Sequence, residues 1–204
     1  MWQKYSSWIF VAAITLLPMG VFAIVKWYEH SFVKLPVLGP EKHTIANFSL
    51  QNQHRNTVTL SNWDDKIVVA NFFFTHCPVV CPKMTNNLKR VQAYADVKDL
   101  HIASFSVDPE RDSAQQLQSF IKKFSVKDDN WDFITGDKKE LYKLARKSFL
   151  IVATDGDGGE TDFIHSESLV LIDKQKRIRG YYNGTKEDEV NQLVKDIKKL
   201  SKED

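Results

Sequence analysis

The stretch KIVVANFFFTHCPVVCPKMTNNLKRVQAYAD, residues 66–96, decides the fold. Lys66–Phe74 carries the apolar run IVVANFFF, rich in β-branched and aromatic side chains, which predicts a central strand buried on both faces. From Cys81 to Asp96 the apolar residues Met84, Leu88, Val91 and Ala95 recur every three or four positions, which predicts a helix. Thr75–Pro82 joins the two and carries both of the chain's cysteines, Cys77 and Cys81. Ligands of α/β sheets lie at the C-terminal ends of parallel strands, which is where this loop begins.

Upstream, Asn47–Leu50 and Thr57–Leu60 predict a hairpin around a polar turn. Downstream, His101–Val107 reads as a strand. Asp112–Phe124 reads as a helix with Leu117, Phe120, Ile121 and Phe124 on one face. Trp131–Ile134 is short and extended, and Asp137 caps a helix running to Ser148. Glu167–Ile172 and Arg177–Tyr182 form a second hairpin, and an amphipathic helix from Thr185 closes the chain. Alternation of this kind predicts an α/β fold, a mixed sheet sandwiched by helices.

The 204 residues are 43% hydrophobic and 26% charged, enough for one well-packed domain. The formal net charge is +2, and Lys4 and Lys26 are the only charged residues among the first 28. The remaining 26 bases face 26 acids, so the domain has no electrostatic reason to bind nucleic acid. The two lysines flank Trp8–Val25, an uncharged run of 18 residues that would span about 27 Å as a helix. Trp2, Tyr5, Trp8, Trp27 and Tyr28 bracket it as aromatic belts do. This segment reads as an N-terminal transmembrane helix. The competing readings are a cleaved export signal, with Val21-Phe22-Ala23 as its cleavage site, and a buried core helix. Anchor and signal both export the rest of the chain, and residues 29–43, with Pro36, Gly39 and Pro40, read as a stiff tether.

A four-residue spacing at a helix start brings Cys77 and Cys81 together, where unsatisfied N–H groups favour thiolate. As a stabilising disulfide the pair would close a loop too short to contribute more than about 2 kcal/mol. Redox chemistry or soft-metal binding remains. Two thiolates do not complete a mononuclear metal site, and a third donor has four candidates: His76, Met84, His165 and the carboxylates near Asp162.

Phe74-Thr75-His76-Cys77-Pro78-Val79-Val80-Cys81-Pro82, then Phe105-Ser106-Val107-Asp108-Pro109-Glu110-Arg111-Asp112, then a single His165 ahead of Leu169-Val170-Leu171-Ile172-Asp173, closely resemble the Sco/SenC family over about residues 44–200. The resemblance implies a thioredoxin-like domain over residues 44–204, tethered to a membrane through residues 1–28. That domain would face the periplasm or the mitochondrial intermembrane space. It further implies copper bound by Cys77, Cys81 and His165, and delivery to the copper A-bearing subunit of cytochrome c oxidase. Two thiolates and one imidazole suit Cu(I) and also accept Cu(II), whereas zinc prefers a fourth ligand. A thiol–disulfide oxidoreductase that reduces the cysteines of the oxidase subunit or of other exported proteins is the alternative, with Cys77 attacking and Cys81 resolving. A copper or redox sensor would need a further partner, and a peroxidase would need a basic residue beside the cysteines.

The chain departs from the family pattern at Ile164, where an Asp often precedes the histidine, which leaves Asp162 without an assigned role. Asp155-Gly156-Asp157-Gly158-Gly159-Glu160 lacks the register of a calcium loop and reads as a solvated turn. No proline follows Pro109, so the cis-Pro that faces the cysteines of thioredoxins has no counterpart, which weighs against a general disulfide reductase.

Overall fold

The computed structural model describes residues 11–25, 34–151 and 166–203. The chain divides into two units, residues 1–34 and 35–204. In the first, residues 11–25 form helix α1, whose side chains are exposed throughout. At about 1.5 Å per residue a helix of this length spans about 22 Å. Among the described residues no helix is long and apolar enough to cross a membrane, so the expected transmembrane helix is not among them. Trp8, Ile9 and Phe10 of the apolar run lie outside the described residues.

In the second unit seven strands form one mixed sheet: β1 (Ser49–Asn52), β2 (Thr57–Thr59), β3 (Ile67–Phe73), β4 (Leu100–Ser106), β5 (Trp131–Thr135), β6 (Ser168–Ile172) and β7 (Ile178–Asn183). Their spatial order is β2-β1-β5-β4-β3-β6-β7. β3, β4 and β5 run parallel, while β1, β6 and β7 each pair antiparallel to a neighbour. The helices are α2 (Val80–Ala95), α3 (Ala114–Phe124), α4 (Lys138–Lys143) and α5 (Glu187–Leu200).

β3 is the central strand its composition predicts, with all seven residues buried. Strand alternation sends Ile67, Val69 and Phe73 to one face, where α2, α3 and α5 supply Met84, Leu88, Leu117 and Leu193. Val68, Ala70 and Phe72 point the other way, onto Trp63, Phe105, Leu141 and Phe149. Phe72 and Phe105 stack at 5.2 Å between ring centroids, and Phe149 meets both edge-on or tilted. A parallel βαβ unit (β3-α2-β4) beside an antiparallel ββα unit (β6-β7-α5) is the thioredoxin-like arrangement, as expected.

Several boundaries differ from those read in the sequence: β1 is Ser49–Asn52 rather than Asn47–Leu50, α5 starts at Glu187 rather than Thr185, and three further differences have a visible cause. α3 starts at Ala114, because the Ser113 hydroxyl accepts the Gln116 N–H and caps it, which leaves Asp112 outside the helix. Asp137 caps α4 as predicted, yet the α-helix ends at Lys143 and a π-helical turn carries on over Leu144–Ser148. Residues 35–42, assigned to the tether, belong to the folded unit. Leu38 bridges Ile178 of β7, and the buried Arg179 donates to the Leu35 and Pro36 carbonyls at 2.5 and 3.1 Å. Arg179 also pairs with Asp173 and Glu203, and Glu203 accepts the Leu35 N–H at 2.7 Å. Gly39, at φ +101°, makes the turn, since a side chain there would press on His43 and Leu150.

Candidate functional site

β3 and β4 are parallel neighbours in register, Phe73 opposite Ser106, so their C-terminal ends deliver two loops to one edge of the sheet. The Val107 N–H extends the ladder by donating to the Phe73 carbonyl at 2.9 Å. The first loop carries the cysteines and the second the segment Ser106–Asp112. This places side by side two motifs that are about 30 residues apart in the chain.

The cysteine loop is a tight turn. The Cys77 N–H donates to the Phe74 carbonyl at 3.3 Å, and the Cys81 N–H donates to the Cys77 sulfur at 3.3 Å. Helix α2 has no side-chain cap from its N-cap residue, Val79, so the Cys77 sulfur satisfies one of the orphan N–H groups of the first turn. The spacing of four residues follows from that contact. Both cysteines are free thiols; Cys77 is half-buried and Cys81 is 4% exposed.

Their protonation differs for physical reasons. Burial would raise Cys77, but the N–H groups of Cys81, Val79 and Val80 and the Cys81 thiol outweigh it and hold Cys77 below the ordinary thiol value of 9.0. For Cys81 burial dominates, and with the neighbouring Cys77 sulfur and the Asp112 carboxylate it pushes the thiol up to about 12 against the N–H of Phe74. One thiol is poised to ionise and the other is held protonated.

A mostly apolar cavity of about 340 Å³ opens over the pair, lined by Phe74, Cys77, Cys81, Val107 and Ser166 among others. Of the four candidates for a third donor, Met84 is fully buried in the core beneath α2. The His76 ring is 54% exposed, with Nδ1 3.1 Å from the Thr75 hydroxyl and 4.0 Å from Asp112. His165 and Asp162 lie outside the described residues, as do Ile164 and Asp155–Glu160. Ser166, next in the chain to His165, is on the cavity wall. Among the described residues no three His, Cys, Asp or Glu side chains gather into a metal-binding group.

Asp112 is the residue the sequence reading misplaced. Its carboxylate is fully buried and accepts the Thr75 N–H at 3.1 Å, the Thr75 hydroxyl at 2.5 Å and the Ser106 hydroxyl at 2.7 Å. The signal that could have found it is Ser113 with Gln116 three residues on, a capping pattern that starts the helix one residue after Asp112.

The SCO1/SenC family model matches residues 38–202. The chain belongs to the SCO1/SenC family. A Bacillus subtilis relative, SCO1 protein homolog, is 33% identical over 165 residues, 79% of this chain and 85% of the relative. The structure of BsSco, a Sco-family cytochrome c oxidase assembly protein in which a disulfide switch was identified, is similar at 32% identity and a TM-score of 0.68. The match covers 81% of this chain and 97% of that one. Arabidopsis thaliana ScoI, solved with copper bound, is similar at 26% identity and a TM-score of 0.63, covering 78% of this chain and 98% of that one. The SCO1/SenC family thus comprises copper-binding proteins involved in cytochrome c oxidase assembly.

Proposed function

We propose that this chain is a membrane-anchored copper chaperone. It carries copper on Cys77, Cys81 and His165 and passes it to the copper A-bearing subunit of cytochrome c oxidase. The observation that carries the reading is the pair of sulfurs at the wall of a cavity that Ser166, the chain neighbour of His165, also lines. Two thiolates and one imidazole give Cu(I) a soft, three-coordinate site and also accept Cu(II). An open three-ligand site releases its cargo by stepwise ligand exchange, which a closed four-ligand site resists. The apolar segment Trp8–Val25 anchors the chain, and the domain works on the exported side, in the periplasm or the intermembrane space.

A second reading, a thiol–disulfide oxidoreductase acting on the same oxidase subunit, is favoured by the asymmetry of the thiols. The Cys77 thiolate attacks one sulfur of a partner disulfide, and the partner's other sulfur leaves as thiolate and takes a proton. Cys81, losing its proton, attacks the Cys77 sulfur and releases the partner's second thiol. The partner gains two electrons, and this chain ends as a disulfide that an external dithiol must reduce.

Titration of the reduced full-length chain with Cu(I) tests the first reading. One copper per chain is expected, lost in Cys77→Ala and Cys81→Ala and weakened about tenfold or more in His165→Ala. Copper held no more tightly than by a simple dithiol, and unaffected by His165→Ala, would overturn it in favour of the second.

A further inference from the structure

We propose that Asp112 is a positioning residue for the two thiols and acts on them through Thr75. The inference rests on the reading of Cys77 and Cys81 as the copper and thiol pair, and extends it to a residue that touches neither sulfur.

The carboxylate of Asp112 is wholly out of solvent, an arrangement that costs several kcal/mol unless its oxygens are hydrogen-bonded. Its two oxygens share three donors, two from Thr75 and one from Ser106. Among the described residues no lysine or arginine pairs with it and the exposed His76 ring stands off at 4.0 Å, so its close partners are the Thr75 and Ser106 donors. Thr75 stands two residues before Cys77. Its backbone and its side chain are both tied to Asp112, and the Gln116 amide donates to its hydroxyl at 3.2 Å. From Thr75 the chain makes one turn, closed by the Cys77 N–H on the Phe74 carbonyl, and presents the Cys77 sulfur to the Cys81 N–H. The seat of Cys77 over the start of α2 is therefore set from the Thr75 side by one carboxylate.

That carboxylate is itself held firmly. The Asp112 N–H donates to the Asp108 carbonyl at 2.9 Å, and the Asp108 N–H donates to the Ser106 hydroxyl at 3.1 Å. Val107, between them, is bound to Phe73 and accepts the Tyr142 hydroxyl at 2.9 Å. Ser106–Asp112 is thus one closed turn whose inward product is a fixed anion aimed at the cysteine loop. Sites of this kind gain affinity when the groups behind the ligands hold them in the bound geometry beforehand.

The test uses the full-length reduced chain in detergent with Asp112→Asn, Thr75→Val and Thr75→Ser. Asparagine keeps the size of Asp112 but offers one acceptor oxygen where two are used, and valine keeps the shape of threonine without its hydroxyl. Both are expected to weaken Cu(I) binding about tenfold or more. Both are also expected to slow alkylation of Cys77 relative to Cys81 while the thermal unfolding transition stays cooperative. Thr75→Ser, which keeps both hydrogen bonds, should restore wild-type behaviour. Should Asp112→Asn fail to fold, Thr75→Val decides alone. Wild-type copper affinity and alkylation pattern in folded Thr75→Val and Asp112→Asn would overturn the proposal. Because alkylation needs no metal, it judges the positioning role even if the wild type binds no copper, which would count against the copper reading alone.

Discussion

The backbone N–H of Cys81 donates to the sulfur of Cys77 at 3.3 Å, so the first cysteine caps the helix whose first turn holds the second. The contact separates two chemically identical side chains. Both line the cavity, but Cys77 is surrounded by N–H groups while Cys81 is also packed into the core.

Alkylation of the reduced protein should therefore be biphasic. Cys77 reacts first, with a pH midpoint below 9.0, and Cys81 stays protected until far higher pH, near its value of about 12. Cys77→Ser should remove the fast phase and leave the slow one. Mass spectrometry of the singly labelled product identifies the site, and label on Cys81 would contradict the assignment.

Met84→Leu should leave copper binding unchanged, because Met84 is buried under α2 in a core of Leu88, Val91 and Leu193. The swap nearly conserves volume and should cost less than about 1.5 kcal/mol in chemical denaturation.

Far from the cysteines, at the start of β4 and β5, His101 Nε2 lies 2.9 Å from Asp132, whose other oxygen accepts the Asn52 amide at 2.8 Å. Burial would raise the Asp132 carboxyl, but the bonds from His101 and Asn52 outweigh it and hold it below 3.8. A depressed carboxyl stabilises the fold above its unfolded value, and that contribution is lost as pH falls through the folded value. At neutral pH Asp132→Asn should cost about 1–3 kcal/mol in urea denaturation, and below pH 3.8 the gap to wild type should close.

Arg179 ties Leu35, Pro36, Asp173 and Glu203 together at the edge of the sheet. Arg179→Ala should cost about 3 kcal/mol, the scale for leaving one member of a buried ion pair alone. A chain starting at Ile45 should be about 2 kcal/mol less stable than one starting at Leu35, since it lacks the carbonyls that Arg179 binds. Equal stability of the two would place residues 35–44 outside the fold.

What could be read from residues alone follows from how local the cause is. The buried run of β3, the spacing of Met84, Leu88 and Val91, and the capping Asp137 each act within one element, and each appears where expected. The spacing of Cys77 and Cys81 likewise predicts their proximity. Asp112 was missed because its partners, Thr75 and Ser106, are brought to it by the pairing of β3 with β4, and an aspartate ahead of a helix reads as part of that helix. The clasp on Leu35 was missed for the same reason: Pro36, Gly39 and Pro40 read as a spacer, while the groups that fix Leu35 and Pro36, Arg179 and Glu203, lie more than 140 residues away.

X-ray absorption at the copper edge of the Cu(I)-loaded, full-length chain tests the copper site most directly. Two sulfur scatterers and one nitrogen scatterer are expected per copper, with the nitrogen lost in His165→Ala and the sulfurs retained. Copper held by sulfur alone, with a spectrum unchanged in His165→Ala, would contradict the three-ligand site.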